Sequence, residues 1–171
     1  ATVLLGCNNA HLVEEEGKWK TVGDPTEGAL LAAGRKAGGD RERIEKELPK
    51  HHEIPFDSDR KLSAVIRKLP DGKLRAFING APDVLLERCL DLYTSTGVRP
   101  MRDEDRKHIA AQNTAMAQQA LRVLGSAYRD LDSAPPADLT SDAVEHDLVF
   151  VGLSGMYDPP RQEAKDAIAK C

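Results

Sequence analysis

The sequence of 171 residues lacks the features that most often assign a chain to a class. No run approaches the roughly 20 apolar residues needed to span a bilayer, which predicts a soluble chain. It also contains no standard phosphate-binding loop and no recognisable nucleophile motif. General motifs therefore leave the activity of the chain open.

Cysteine and excess charge are also scarce. The three cysteines, Cys7, Cys89 and Cys171, are widely separated, which predicts reduced thiols and not a disulfide framework. A net charge of -4 argues against a general binder of nucleic acid or anionic membranes. Local groups of basic residues remain able to bind phosphates.

The length of the chain predicts one compact domain. Both ends of the sequence have the character of the middle of an apolar element. We therefore expect the chain to be a fragment of a longer protein.

Helical and strand patterns follow one another along the chain. Apolar spacing, Pro at helix starts and Gly or Pro at helix ends predict helices over residues 26–37, 40–48, 81–89 and 103–121. Strands are predicted over residues 62–69, 74–78, 123–128 and 147–156, with a tight turn at 70–73. Residues after 89 and residues 133–138 are predicted loops. The pattern predicts an α/β (α+β) fold with a mixed, largely antiparallel sheet flanked by helices.

Some side chains suit recognition of a nucleotide. Adenine has a flat apolar face and a polar edge, so an aromatic ring beside a carboxylate, such as Phe56 and Glu27, can bind it. Arg60, Lys61 and Arg122 are candidates for the phosphates if the fold brings them together. Taken alone, Phe56 is more typical of a core residue and Lys61 of a solvated surface charge.

Several short segments occur in an order that is typical of one family. They are residues 23–30 (GDPTEGAL), 55–61 (PFDSDRK), 77–83 (FINGAPD), 121–124 (LRVL) and 155–161 (GMYDPPR). Over nearly its whole length the chain thereby resembles the nucleotide-binding domain of the P-type cation-transporting ATPases, in particular the calcium-pump-like branch.

The resemblance implies a role for particular residues. It implies that Glu27 approaches the adenine amine, that Phe56 stacks on the base and that Lys61 is a basic nucleotide contact. It also implies that Arg122 reaches the phosphates. For Arg122 the alternative is a salt bridge at the end of the preceding helix.

One family motif is altered in this chain. The family usually has Lys-Gly-Ala-Pro followed by an acidic residue, whereas this chain has Asn79 before Gly80 and Ala81. The resemblance implies that these three residues contact the nucleotide, with Gly80 permitting close approach. A neutral amide replaces an ammonium at Asn79, so we expect weaker nucleotide binding than in Asn79→Lys.

The resemblance divides the chain into residues 1–156, a nucleotide-binding domain, and residues 157–171, a hinge return and the start of a phosphorylation domain. The Asp-Lys-Thr-Gly-Thr phosphorylation motif of the family is absent from the sequence. We therefore expect the fragment to bind ATP without turnover and without ion transport, because the aspartyl nucleophile lies in another domain.

The implied function is to deliver the γ-phosphate of ATP to that aspartate within a cation pump of the plasma membrane, with calcium favoured. The implied partners are ATP and the phosphorylation, actuator and transmembrane domains of the parent pump, and the domain itself would be cytoplasmic. Magnesium would arrive with the nucleotide, since the sequence predicts no dedicated metal site. The alternative is a regulatory or interaction domain that keeps the fold without binding nucleotide.

Overall fold

The chain folds as a mixture of short helices and strands in the computed structural model, which describes residues 1–15, 17–131 and 139–157. The helices are α1 Thr2–Gly6, α2 Pro25–Lys36, α3 Arg41–Glu47, α4 Pro82–Arg88, α5 Asp103–Gln118 and α6 Ser141–Val144. The strands are β1 His11–Glu15, β2 Lys18–Val22, β3 Lys50–Asp57, β4 Leu62–Lys68, β5 Leu74–Gly80, β6 Cys89–Thr94, β7 Gly97–Pro100, β8 Arg122–Leu131 and β9 Leu148–Met156.

Seven of these strands form one sheet in the order β3-β4-β5-β8-β9-β6-β7. The neighbours pair antiparallel, except β6 and β9, which pair parallel. Strands β1 and β2 form a separate antiparallel hairpin. The predicted fold class, a mixed and largely antiparallel sheet flanked by helices, is confirmed.

Both faces of the large sheet carry buried apolar side chains. One face packs against α4, α5 and α6, which contribute Leu85, Ile109 and Val144 to its core. The other packs against α1, where Val3 and Cys7 meet Phe77 and Val65. The sheet is thus a central layer between two groups of helices.

Local sequence signals account for the elements that lead to the candidate site. The side chain of Asp24 caps α2 by accepting hydrogen bonds from the backbone amides of Thr26 and Glu27, at 2.8 and 3.1 Å. The predicted turn between β4 and β5 is also present, with the amide of Gly72 donating to the carbonyl of Leu69 at 2.9 Å. These contacts place the start of α2 within one residue of its predicted position and the start of β5 at the predicted Leu74.

A buried arginine ties the first helix to the sheet. Arg67 of β4 donates to the carbonyl of Gly6 at 2.7 Å and to the carbonyl of Leu48 at 2.8 Å. It also forms a two-point ion pair with the carboxylate of Glu45, at 2.8 and 3.0 Å. Arg67 therefore holds the segment that leads to Cys7.

Other elements were not predicted. The segment after residue 89, predicted as a loop, forms the hairpin of β6 and β7, in which Tyr93 and Val98 stand opposite each other and are half-exposed. Its exposure weakens the apolar alternation that marks a strand. The short elements α1, α6, β1, β2 and β3 also went unpredicted.

Some predictions fall outside the described residues. These are the loop at 133–138, the last four residues of the 155–161 segment, the predicted hinge return after 157 and Cys171, so the domain boundary at 156 stays a prediction. Cys7 and Cys89 are buried free thiols, in agreement with the sequence. Over the described part of the chain, no helix is both long enough and apolar enough to cross a membrane.

Candidate functional site

A cavity of about 440 Å³ opens where the start of α2, the end of β3 and the adjoining ends of β4, β5 and β8 meet. It contains five of the seven residues predicted from the sequence, namely Glu27, Phe56, Asn79, Gly80 and Arg122. Its remaining lining residues are Cys7, Asp24, Thr26, Leu30, Ser63 and Leu124. The volume lies within the range of small-molecule sites, roughly 300–1,000 Å³.

Glu27 occupies the first turn of α2 and is partly buried. One carboxylate oxygen accepts a hydrogen bond from the backbone amide of Asn9 at 3.1 Å. Burial raises the pKa of Glu27 above its ordinary value, and the nearby carboxylates of Asp24 and Glu53 act in the same direction. The group is thus a hydrogen-bond acceptor at the wall of a partly apolar cavity.

Phe56 lies at the edge of the cavity with 65% of its surface exposed. It stands near the end of β3, where the pairing with β4 is irregular between Ile54 and Asp57. An aromatic ring that lines a cavity and keeps its face accessible is suited to stacking on a planar ligand. The alternative of a core residue is therefore excluded by the geometry.

Asn79 is buried and already has hydrogen-bond partners. Its Nδ2 donates to the carbonyl of Cys7 at 3.1 Å, and its Oδ1 accepts from the hydroxyl of Ser126 at 2.7 Å. The amide therefore joins β5 to β8 and to the segment after α1. A ligand in the cavity would meet a fixed polar side chain at this position, unlike the mobile charge that the family motif usually has.

Arg122 opens β8 and is exposed at the cavity. Its Nη1 lies 3.5 Å from the hydroxyl oxygen of Thr26 in α2. Among the described residues Arg122 has no carboxylate partner, so the alternative of a salt bridge at the end of α5 is not what the structure contains. Its positive charge remains available to an anion.

Lys61 and Ala81 are the two predicted residues that do not line the cavity. The side chain of Lys61 is exposed, and its backbone is left-handed with φ of 56°. The carbonyl of Lys61 accepts a hydrogen bond from the amide of Ala81 at 3.1 Å. Both residues therefore belong to the framework beside the cavity, and only the flexible side chain of Lys61 could reach a ligand.

Gly80 has a packing reason to be glycine. A Cβ at this position would stand 2.3 Å from the carbonyl oxygen of Lys61 and 2.5 Å from Cδ2 of Leu62. No larger residue fits without shifting β5 away from the preceding turn. We expected Gly80 to permit the close approach of a ligand. The packing of β5 against Lys61 and Leu62 also requires a glycine at this position.

Arg60, considered from sequence as a phosphate contact, has other partners. It forms an ion pair with the buried carboxylate of Glu145 and donates to the carbonyl of Pro55 at 2.7 Å. Its guanidinium is therefore committed to the protein.

Sequence reasoning missed several lining residues. Ser63 could have been found, because the predicted hairpin pairs Lys68 with Leu74 and so sets Ser63 opposite Asn79. Leu124 follows Arg122 by two positions and so shares its face of the strand. The contribution of Cys7 depends on the unpredicted α1; burial raises the pKa of its thiol to about 12.

The cavity combines an accessible aromatic ring, carboxylate acceptors at one wall and an arginine at its mouth. Such a set can bind a ligand that has a planar base with donor groups and an anionic tail. Among the described residues there is no group of three or more His, Cys, Asp or Glu side chains able to hold a metal ion.

Comparisons with known proteins agree with this arrangement. A family model described as P-type ATPase, cytoplasmic domain N, matches residues 1–163. The chain belongs to the P-type ATPases. Within them it corresponds to the cytoplasmic domain N, as the resemblance of its motifs predicted.

Individual P-type ATPases are similar over almost all of the chain. A calcium-transporting ATPase of Bacillus subtilis is 38% identical over 165 residues, which is 96% of this chain. Calcium-transporting ATPase 1 of Lactococcus lactis is 38% identical over 168 residues, or 98% of this chain. The cation-transporting ATPase pma1 of Synechocystis is 39% identical over 166 residues, or 96% of this chain. The chain spans 18% of the length of each of these relatives.

Proposed function

We propose that this domain binds ATP in the cavity and presents the γ-phosphate to an aspartate in a separate phosphorylation domain of a cation pump. The observation that carries the proposal is the convergence of Glu27, Phe56 and Arg122 from α2, β3 and β8 on one cavity. The family of the chain supports it, since the matching relatives are named as ATPases.

In this proposal the parts of the cavity recognise different parts of ATP. Phe56 stacks on adenine, while Glu27 accepts a hydrogen bond from the exocyclic amine. Arg122 attracts the phosphates, and Lys61 adds its charge from the exposed turn beside the cavity. Asn79 and the backbone at Gly80 form the polar floor, with Ala81 holding that floor to the turn.

Magnesium would be bound mainly by the phosphates and water. Asp24 and Glu27 are the carboxylates of the cavity, and two side chains do not make the six-coordinate cage of a resident ion. The bound ion would shield the phosphates. The protein residues would bind and orient the nucleotide, and the missing domain would supply the nucleophile.

The parent protein in this proposal is a calcium or related cation pump in the plasma membrane, and its actuator and transmembrane domains lie outside the chain. Calcium is favoured because two of the relatives are named as calcium-transporting. The isolated chain would bind ATP without multiple turnover.

Calorimetric titration with ATP tests the binding proposal. We expect saturable binding that Phe56→Ala weakens about tenfold, since lost stacking is worth roughly 1 kcal/mol or more. Tyr93→Ala is the matched control, because Tyr93 is also an exposed aromatic residue but lies on β6, away from the cavity. Equal loss in both variants, or no binding by the unaltered chain, would refute the proposal.

A further inference from the structure

A buried carboxylate outside the cavity has no part in the proposed function so far. Glu145 follows α6, and its side chain is fully buried. Its carboxylate forms an ion pair with Arg60, while Nη1 of Arg88 lies 3.4 Å from it and 3.1 Å from the Glu145 carbonyl. A buried carboxylate is costly unless it is paired, and the ion pair with Arg60 and the longer contact with Arg88 offset that cost.

Arg60 connects this pair to the segment that carries Phe56. The same guanidinium that meets Glu145 through Nη1 donates through Nη2 to the carbonyl of Pro55 at 2.7 Å. Pro55 directly precedes Phe56, so the position of the guanidinium affects the backbone on which the ring stands.

The backbone beside Phe56 lies in an irregular part of the pairing between β3 and β4. Ile54 pairs with Ala64 and Asp57 pairs with Leu62, but Pro55 and Phe56 have no partner in the register between them. The Phe56 side chain is also mostly exposed and receives little support from packing. The contact of Arg60 with Pro55 therefore supports the backbone where the sheet does not.

The turn after Phe56 is closed by its own hydrogen bonds. The carboxylate of Asp57 accepts from the amides of Asp59 and Arg60, each at 2.9 Å, and the amide of Lys61 donates to the Asp57 carbonyl at 2.7 Å. These bonds make residues 57–61 a stiff unit. Fixing the guanidinium of Arg60 therefore fixes the orientation of the whole turn relative to the cavity.

We infer that Glu145 is a positioning residue for the adenine platform, acting through Arg60 on the Pro55 carbonyl and the Phe56 ring. The role for adenine rests on the proposed function, whereas the restraint of the turn does not. Among the described residues Arg88 shares the carboxylate but has no hydrogen bond to residues 55–61, so we expect it to stabilise Glu145 without positioning Phe56.

The first test uses the 171-residue chain without nucleotide and measures amide hydrogen exchange by NMR. Glu145→Gln removes the charge, and Arg60→Lys keeps a charge for Glu145 but loses the fork that also reaches Pro55. We expect both variants to speed amide exchange at residue 61, and Glu145→Gln also at residue 60, about fivefold, a loss of roughly 1 kcal/mol of local restraint. Core amides such as Ile66 should be unchanged, and Arg88→Gln should match the unaltered chain.

The second test measures ATP and AMP affinity of the same variants. Because the Phe56 ring is proposed to contact the base, which ATP and AMP share, Glu145→Gln and Arg60→Lys should weaken the binding of both nucleotides by a similar factor, about fivefold. Arg88→Gln should bind both as the unaltered chain does. If Glu145→Gln also loosens the core, Arg60→Lys decides the outcome.

The results separate the inference from the proposed function. Unchanged exchange at residue 61 in both variants overturns the inference, as does unchanged nucleotide affinity while Phe56→Ala weakens binding. If the unaltered chain binds no ATP but the exchange result holds, the proposed function fails and Glu145 remains the residue that positions the turn.

Discussion

The Arg122 guanidinium of β8 lies 3.5 Å from the Thr26 hydroxyl of α2. Residues that are distant in sequence are thereby brought together at the mouth of the cavity. The contact connects the wall that carries Glu27 with a positive charge that is exposed to solvent. It places a carboxylate acceptor and a positive charge at the same cavity.

Arg122→Gln should weaken the binding of ATP about tenfold at low salt, because a charge-assisted hydrogen bond to phosphate is lost. AMP, which lacks the terminal phosphates, should lose less affinity. The loss for ATP should shrink at high salt, since the arginine is exposed and screened. Calorimetric titration of both nucleotides at two salt concentrations measures these differences.

Arg129→Gln is the control for this substitution. Arg129 lies on the same strand outside the cavity and donates to the carbonyl of Ala143 at 3.0 Å. The Arg129→Gln variant should bind ATP as the unaltered chain does. Equal losses in the two variants would show that net charge, and not the position of Arg122, governs affinity.

Glu27 should make stability fall as the pH rises. Its folded-state pKa is raised above the ordinary value of 4.5, mainly by burial, so the folded chain holds this proton more tightly than the unfolded chain. The resulting stability is fully present below that ordinary value and is lost as pH rises through the raised pKa. Urea unfolding of the unaltered chain and of Glu27→Gln, from about pH 4 to pH 8, measures this change in stability with pH.

The variant should gain stability relative to the unaltered chain over that window, because glutamine has no charge to desolvate. A stability difference that is independent of pH would contradict this prediction. ATP binding should weaken in the same variant if the carboxylate recognises the adenine amine, so stability and binding would change in opposite directions.

Asn79→Lys should bind ATP more tightly than the unaltered chain, since it adds a positive charge at the floor of the cavity. It also removes the amide that bridges Cys7 and Ser126, which should lower the free energy of unfolding by about 1–3 kcal/mol. Titration and urea unfolding measure the two effects separately.

Asn79→Met controls for the lost amide without adding charge. It should be destabilised to a similar extent and should not gain affinity. Should Asn79→Lys show equal or poorer ATP affinity at both low and moderate salt, the prediction is wrong.

Arg67→Met should lower the free energy of unfolding by about 3 kcal/mol, because the carbonyls of Gly6 and Leu48 lose their donor and Glu45 loses its ion pair. Arg43→Gln is the matched control: Arg43 forms an exposed ion pair with Glu47 on α3, and its loss should leave stability unchanged. Urea unfolding of both variants measures the two free energies. Equal losses of stability in the two variants would contradict this prediction.

The elements predicted from sequence are those with local signals. The turn between β4 and β5 has its own Pro and Gly, and α2 has Asp24 as its cap, so both follow from neighbouring residues. The hairpin of β6 and β7 was missed because its exposed Tyr93 and Val98 weaken the apolar alternation. Its stability depends on the parallel pairing with β9, which no local pattern predicts.

The candidate site divides in the same way. Family motifs identified the lining residues Glu27, Phe56 and Arg122, whose side chains suit the nucleotide that we propose as the ligand. The partners of Asn79 and Arg60 could not be predicted, because the bonds to Cys7 and Glu145 span 72 and 85 residues of sequence. Such contacts exist only after the sheet has formed.

The most direct test of ATP binding in the cavity is an NMR titration of the chain that follows each backbone amide. If ATP binds there, its addition should cause saturable shifts at Glu27, Phe56, Gly80 and Arg122 and leave Tyr93 and Val98 of the distant hairpin unmoved. Phe56→Ala should reduce those shifts at the same ATP concentration. No shifts at millimolar ATP, or shifts confined to residues outside the cavity, would contradict it.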